Sequence, residues 1–195
     1  MFLERIIYDS LKKHLSQAQI TVITGMRRCG KTTLLKQLLS ETGSDNHMYI
    51  DFQRVDNREL FVEKNYDNIV RALTERGLNF SRKAYIGLDE MQLVPEAVSA
   101  LKYLYDHHHA KFIITGSSSF YLKNIFTESL SGRKKIFELF PLDFREFLLF
   151  KGVSFVARDE FFENDFRAAE YERLKSYYEE YIQFGGFPEV ALSSD

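Results

Sequence analysis

A stretch of eight residues near the amino terminus has the composition and spacing of a loop that binds phosphate groups. It matches the pattern G-x-x-x-x-G-K-[ST] and reads Gly25-Met26-Arg27-Arg28-Cys29-Gly30-Lys31-Thr32. Glycines let the backbone turn tightly and present successive N–H groups to an anion, and a helix that follows adds its positive end. The Lys31 ammonium suits the β- and γ-phosphates, and the Thr32 hydroxyl is a ligand for Mg²⁺. The pattern predicts a site for ATP and Mg²⁺.

The other residues of this loop are expected to contribute less. Thr33 is placed for a backbone or hydroxyl contact with the α-phosphate. Arg27 and Arg28 occupy variable positions, where they contact phosphate, a neighbouring subunit, or only solvent and surface acids, the last being slightly favoured. Cys29 is interpreted as a small filler, because phosphate charge opposes a thiolate. We assign all residues from Gly25 to Thr33 to nucleotide binding.

A second chemical pattern is an apolar stretch, residues 84–88, that ends in two acids. This resembles a Walker B motif, in which the first acid, Asp89, binds Mg²⁺, usually through water. The second acid, Glu90, would orient and polarise the attacking water. The alternative is an exposed strand end with two solvated carboxylates. A glutamate in this position marks the P-loop proteins whose sheet has an extra strand between the P-loop strand and the Walker B strand. Residues 111–115 are the candidate for that inserted strand.

Polar residues after this inserted strand are candidates for sensing the γ-phosphate. Ser117 and Ser118 are equivalent choices on sequence alone, and a serine-rich helix N-cap explains either one equally well. Arg133 would supply positive charge to the transition state, in cis or from a neighbour, or lie in a basic surface turn. The run His107–His109 suits the end of a helix better than a metal site, because consecutive helical residues point in different directions.

Strand and helix patterns alternate through residue 140, which predicts an α/β fold with a parallel sheet covered by helices on both faces. The strands are expected at residues 20–24, 47–52, 84–88, 111–115 and 136–139. The helices are expected at residues 2–15, 31–39, 66–76, 96–106 and 118–130. Beyond residue 141 only helices are predicted, at 144–150, with Asp143 and Glu146 as a capping box, and at about 159–183. We therefore divide the chain into a core with its N-terminal helix, 1–140, and a helical lid segment, 141–195.

Composition limits the class of protein. The chain has 195 residues, a net charge of −2 and one cysteine, so neither an overall basic character nor an intramolecular disulfide is expected. No apolar stretch approaches the roughly 20 residues of a membrane-spanning helix, and no signal peptide is recognised. These features predict a soluble, cytoplasmic protein with no membrane partner.

The order of the motifs resembles the AAA-type ATPase domain of a large bacterial and archaeal family related to AAA+ proteins and to STAND ATPases. Besides the phosphate loop, the matching segments are Leu88-Asp89-Glu90-Met91-Gln92, Ile114-Thr115-Gly116-Ser117-Ser118-Ser119, Leu130-Ser131-Gly132-Arg133, Phe140-Pro141-Leu142-Asp143-Phe144-Arg145-Glu146-Phe147 and Gly185-Gly186-Phe187-Pro188. The resemblance implies a P-loop NTPase sandwich with a sheet ordered 5-1-4-3-2, ATP hydrolysis, and Gln92 near the γ-phosphate. Family members usually continue into a C-terminal, often restriction-endonuclease-like domain, so we expect the lid to be incomplete here and the output domain to be missing.

Three functions follow from these patterns. The first is Mg²⁺-dependent ATP hydrolysis that drives a conformational switch, with Lys31, Glu90, Ser117 and Arg133 as catalytic candidates and Thr32 and Asp89 as metal ligands. The second is a STAND-like regulatory module that binds ATP or ADP and turns over slowly. The third is a small-molecule kinase, which the acid pair disfavours. Self-association or a protein partner is expected, and nucleic-acid binding rests on family analogy alone.

Overall fold

The structure is a computed structural model, and it describes residues 2–117, 130–155 and 168–193. Two compact units form. The larger comprises Ile7–Leu139, and the smaller comprises Met1–Ile6 with Phe140–Asp195. Among the described residues, none of the helices combines the length and the apolar character needed to cross a membrane.

The larger unit is built on a sheet of parallel strands. Its strands are β1 (Ile20–Gly25), β2 (His47–Asp51), β3 (Ala84–Asp89), β4 (Ala110–Gly116) and β5 (Lys134–Leu139). They lie in the order β2-β3-β4-β1-β5, so β4 is inserted between β1 and β3. Both the predicted P-loop NTPase sheet order and the inserted strand are confirmed. The central strands are apolar and buried, as expected for a sheet covered on both faces.

Helices connect these strands at positions close to the predicted ones. They are α1 (Tyr8–His14), α2 (Lys31–Ser40), α3 (Val55–Phe61), α4 (Tyr66–Glu75) and α5 (Ala97–His107). The short α3 was not predicted, and its N-cap residue, Arg54, makes no side-chain capping bond that would mark its start. The helix predicted over residues 118–130 lies almost entirely outside the described residues.

The phosphate-loop helix α2 packs closely on the sheet because β3 carries a glycine beneath it. A Cβ at Gly87 would meet Leu39 Cδ1 at 2.7 Å and Leu35 Cδ1 at 3.0 Å. Both leucines are buried. The absence of a side chain at Gly87 therefore sets how near the loop helix lies to the strand that ends in the acid pair.

The smaller unit contains α6 (Phe144–Phe150), α7 (Ala168–Phe184) and α8 (Pro188–Leu192). The predicted capping box of Asp143 and Glu146 at the start of α6 is confirmed. Residues before Tyr8 were predicted as helix, and that prediction is wrong for residues 2–6. Arg5 instead forms a buried ion pair with Glu146, with Nε to Oε1 at 2.9 Å, and the Ile6 N–H donates to the same oxygen at 2.7 Å.

The Gly-Gly-Phe-Pro segment packs against the start of α6. A Cβ at Gly186 would overlap the Leu142 carbonyl oxygen, and the Leu142 N–H donates to the Gly186 carbonyl at 2.6 Å. Gly185 has a left-handed backbone, with φ of 84°. Pro188 then occupies the first turn of α8, where its missing N–H costs nothing. Both glycines are therefore needed for local backbone reasons within the smaller unit.

Candidate functional site

The loop between β1 and α2 adopts backbone conformations that account for its glycines. Gly25 has φ of 150°, and a Cβ there would overlap the Leu139 carbonyl oxygen at the end of β5. Gly30 has φ of 94° and directly precedes α2. Arg28 also has a left-handed backbone, with φ of 65°. This loop opens onto the carboxyl edge of the sheet, next to the N-terminus of α2, which is the usual geometry of an anion site.

Lys31 lies inside this loop. Its ammonium donates to the Gly25 carbonyl at 3.0 Å and to the Met26 carbonyl at 2.6 Å, and the residue is buried. Burial lowers the pKa of Lys31, and the nearby Glu90 carboxylate opposes part of that change. The positive charge is thus held by the loop that the sequence predicts to bind phosphate.

The other loop residues differ in exposure. Met26, Arg27, Arg28 and Thr33 are exposed, whereas Cys29 is fully buried. The position of Cys29 agrees with its interpretation as a filler. Nucleotide contacts by these residues remain predictions.

The Asp89 carboxylate at the end of β3 is surrounded by hydroxyl groups. Thr32 Oγ1 and the Tyr49 hydroxyl each donate to Oδ2 at 2.8 Å, and Thr115 Oγ1 donates to Oδ1. Asp89 is buried, with 2% of its surface exposed. The two predicted Mg²⁺ ligands, Thr32 and Asp89, are therefore in direct contact across the loop and the strand.

Glu90 follows Asp89 in an unusual backbone conformation. Its φ of 59° and ψ of 44° are left-handed, which is uncommon for a residue other than glycine. The Glu90 N–H donates to Thr115 Oγ1 at 3.1 Å, so one hydroxyl orients both acids. The Glu90 carboxylate accepts a bond from Gln92 Nε2 and another from Ser117 Oγ at 3.3 Å. A strained residue that neighbouring groups hold in place is common at functional sites.

Ser117 and Gln92 form a mutual contact beside Glu90. Gln92 Nε2 donates to Ser117 Oγ at 2.8 Å, and the Ser117 N–H donates to Gln92 Oε1 at 3.2 Å. Ser118, the alternative sensor on sequence, lies outside the described residues, as does Ser119. The structure thus brings Ser117 together with the acid pair, and its role as a sensor remains a prediction.

Two site residues were missed by sequence reasoning. Thr115 was expected only to belong to a segment whose hydroxyls face the nucleotide edge of the sheet, and its contacts with Asp89 and Glu90 were not predicted. Tyr49 lies on the edge strand β2 and carries no motif signal, because an aromatic residue there is usually packing material. Only the three-dimensional pairing of β2 with β3 brings its hydroxyl to Asp89.

Arg133 lies at the opposite edge of the sheet. It precedes β5, and its carbonyl accepts from the N–H of Ile20, the first residue of β1, at 2.8 Å. Its guanidinium pairs with Asp106 at 2.9 Å. A six-residue strand separates this edge from the phosphate loop, about 20 Å at 3.3 Å per residue. The structure therefore does not bring Arg133 together with the phosphate loop, and its role at the transition state, in cis or from a neighbour, stays a prediction.

The donors at the carboxyl edge fit the predicted ligands by their chemistry. A hydroxyl and a carboxylate are hard oxygen donors of the kind that Mg²⁺ prefers. The loop contributes backbone turns, a helix N-terminus and an ammonium, all suited to phosphate. Thr32 and Asp89 would hold the metal, and residues 25–33 would hold the nucleotide.

Two of the relatives in sequence are longer, uncharacterized proteins. The chain is 33% identical over 191 residues to uncharacterized protein MJ1544 of Methanocaldococcus jannaschii, covering 98% of this chain and 40% of that protein. It is 28% identical over 181 residues to an uncharacterized protein of Haemophilus influenzae, covering 90% of this chain and 41% of that protein. The chain therefore spans about two fifths of the length of these curated relatives.

Solved structures share the fold at low sequence identity. The Walker-type ATPase of Pyrococcus abyssi superposes with a TM-score of 0.57 at 17% identity, covering 97% of this chain and 66% of that chain. The ORC2 protein of Aeropyrum pernix in its ADP form gives a TM-score of 0.59 at 16% identity, covering 98% of this chain and 62% of that chain. A family model described as AAA domain matches residues 17–148. The chain belongs to this family and is an AAA-type P-loop ATPase domain.

Proposed function

We propose that this chain binds ATP with Mg²⁺ and hydrolyses it, and that hydrolysis drives a conformational switch. The observation that carries the proposal is the hydrogen bond from Thr32 to Asp89, which joins the phosphate loop to the acid pair at one edge of the sheet. Glu90 follows directly, so a nucleotide in the loop would lie beside a carboxylate. Membership of the AAA family supports nucleotide binding, and the acid pair extends this to hydrolysis.

Each residue has a defined task in this proposal. Lys31 and the loop N–H groups bind the phosphates and neutralise charge that builds up as the terminal phosphate is transferred. Thr32 and Asp89 hold Mg²⁺, which when bound neutralises charge on the phosphate oxygens. Glu90 accepts a proton from the attacking water, and Ser117 lies where a hydroxyl would sense the terminal phosphate.

The substitution Glu90→Gln tests the hydrolytic step. Removing the general base should lower kcat by about 100-fold or more, with ATP affinity changed by about threefold at most. Phosphate release and equilibrium binding of ATP are measured on the same preparation, with the exposed Glu75→Gln on α4 as a matched control. Turnover equal to the wild type would remove Glu90 from the mechanism. A wild-type chain that binds ATP and releases no phosphate would exclude hydrolysis.

A second candidate function is a nucleotide-dependent switch with slow turnover, and the contacts of Glu90 favour it. Its carboxylate is bonded to Gln92 and Ser117, and these bonds compete with a bond to water. Single-turnover kinetics separates the two functions. Fast phosphate release in the first turnover supports the ATPase. Tight binding of ATP, with phosphate release slower than the dissociation of ATP, supports the switch.

The proposal extends to partners and cellular location. We propose that the switch acts through self-association or a protein partner, and that the chain works in the cytoplasm. One structure of the same fold is the ORC1 protein of Aeropyrum pernix in complex with DNA, at 14% identity. DNA binding here rests on that likeness of fold. A mobility shift that weakens steeply with salt would support it.

A further inference from the structure

We propose that Tyr49 is a positioning residue for the nucleotide site: its hydroxyl fixes the orientation of Asp89 and so sets how much Mg²⁺ strengthens nucleotide binding. This inference rests on the proposed function, because it assigns Asp89 to the metal. It concerns a residue outside every motif in the sequence, and it makes the edge strand β2 part of the site.

The path of the Tyr49 side chain follows from strand register. Tyr49 on β2 pairs with Gly87 on β3, and residues paired in this way face the same side of a sheet. A Cβ at Gly87 would point at Leu35 and Leu39 of α2, so this is the side that α2 covers. The Tyr49 ring lies under the ammonium of Lys36 from α2, with 4.5 Å from Nζ to the ring centroid. The half-buried phenol therefore lies on the face of the sheet that α2 covers.

The Tyr49 hydroxyl reaches the carboxylate two residues beyond its paired glycine. It donates to Asp89 Oδ2 at 2.8 Å, the same oxygen that accepts from Thr32. Thr115 holds the other oxygen. Hydroxyl groups from three separate elements therefore fix the plane of the Asp89 carboxylate. The terminal torsion of an aspartate has only broad preferences of its own, so these hydrogen bonds set its orientation.

Tyr49 is suited to this task by its rigidity. A tyrosine has only two rotatable side-chain bonds, and here the ring is packed against the Lys36 ammonium. A ring held in this way fixes the direction from which its hydroxyl donates to Asp89.

Loss of this donor should act on the metal and leave the phosphate loop intact. Thr32 and Asp89 would hold Mg²⁺, and Tyr49 would act on the metal through its hydrogen bond to Asp89. Partners of this kind typically change metal affinity or activity by about 10- to 100-fold when they are removed. Lys31 and the loop N–H groups are untouched by Tyr49, so nucleotide binding without Mg²⁺ should be retained.

The test compares Tyr49→Phe with the wild type in binding experiments that need no hydrolysis. The dissociation constant of a fluorescent ADP is measured in Mg²⁺ and in EDTA, and the ratio of the two is the gain that Mg²⁺ provides. We expect Tyr49→Phe to reduce this gain by about tenfold. The EDTA value should change by less than about twofold. Tyr85→Phe, which removes a hydroxyl from β3 at the opposite edge of the sheet, is the matched control and should behave as the wild type.

Three other outcomes would overturn the inference. One is an unchanged gain from Mg²⁺ in Tyr49→Phe. Another is a lower unfolding midpoint with an unchanged gain, which would make Tyr49 a purely structural residue. The last is a wild-type chain whose ADP affinity does not respond to Mg²⁺; that result removes the metal role of Asp89 and the proposed function, and the inference falls with it. The first two outcomes leave the proposed ATP hydrolysis by the wild type unaffected. Failure of the Tyr49 inference can therefore be distinguished from failure of the proposed function.

Discussion

Two buried lysines lie at opposite edges of the same sheet, and their surroundings differ. Lys31 lies at the carboxyl edge, where the parallel strands end, and is 5% exposed. Lys111 lies at the amino edge, where the strands begin, and is 1% exposed. Both ammonium groups donate to backbone carbonyls, Lys31 within its loop and Lys111 to His14 at 2.9 Å and to Gln19. Lys31 also has Glu90 and Asp89 close enough to favour its charge. Lys111 instead lies beside His14, at 3.5 Å from Nζ to Nδ1.

The difference separates a lysine that lies beside two carboxylates in the phosphate loop from one whose ammonium donates to backbone carbonyls beside a histidine. At the carboxyl edge, the phosphate loop and the N-terminus of α2 place the Lys31 ammonium near the carboxylates of Asp89 and Glu90. At the amino edge burial, with a smaller contribution from Lys83, lowers the pKa of Lys111 to about 7. His14 is oriented by a contact from Nδ1 to Thr21 Oγ1 at 2.8 Å, and burial lowers its pKa as well. Burial alone therefore does not identify a functional lysine.

The largest expected effect comes from Lys31→Ala. Removing this charge should weaken ATP binding by about 100-fold or more, because a charge-assisted contact to phosphate loses both its charge and its hydrogen bonds. Isothermal titration with ATP and Mg²⁺ measures it, and circular dichroism verifies the fold. Lys111→Met, of similar length, should bind ATP as the wild type does. Equal losses in the two variants would abolish the distinction between the edges.

The second prediction concerns stability and pH at the amino edge. The folded-state pKa of Lys111 is about 7 and its ordinary value is 10.5, so between these limits the unfolded chain binds a proton that the folded chain does not. Stability should therefore rise with pH in this window, with a contribution from Lys111 on the order of 1 kcal/mol per pH unit. Denaturant unfolding at pH 7, 8 and 9 measures the slope.

The variant Lys111→Met isolates that contribution. Its unfolding free energy should depend less on pH than that of the wild type, while Lys102→Met, an exposed lysine on α5, should retain the wild-type slope. His14 titrates below this window because its pKa is lowered, so it does not produce the slope. Parallel pH profiles for the wild type and Lys111→Met would show that Lys111 carries its proton in both states.

The comparison also explains which parts of the site could be predicted from sequence. The phosphate loop and the acid pair were predictable because each is contiguous in sequence and follows an apolar strand, so a parallel sheet must place both at its carboxyl edge. Thr115 and Tyr49 depend on which strands are neighbours and on side-chain direction, and no local pattern encodes either. The close approach of α2 to β3 likewise depends on Gly87, where a Cβ would meet Leu35 and Leu39, and no local pattern in the sequence indicates that contact.

The fold shows the same division between local and long-range information. The capping box at Asp143 was predicted because residue spacing is a local signal, whereas the sheet order was implied by the family resemblance. The first helix was predicted to begin too early, because residues 2–6 have helical spacing and yet Arg5 and Ile6 bond to Glu146, which is distant in sequence. Tertiary contacts of this kind override a weak helical preference.

The smallest expected effect belongs to Arg133→Ala, which tests the separation of the two edges directly. Because Arg133 pairs with Asp106 at the amino edge, its loss should leave kcat within about twofold at dilute protein concentration and cost at most about 1 kcal/mol of stability, as for other partly exposed ion pairs. Phosphate release is measured over a range of protein concentrations together with light scattering. A loss of turnover that appears only when the chain self-associates would assign Arg133 to a neighbouring site. A loss that is independent of concentration would mean that the amino edge influences its own site, and the two edges would then have to be treated as coupled.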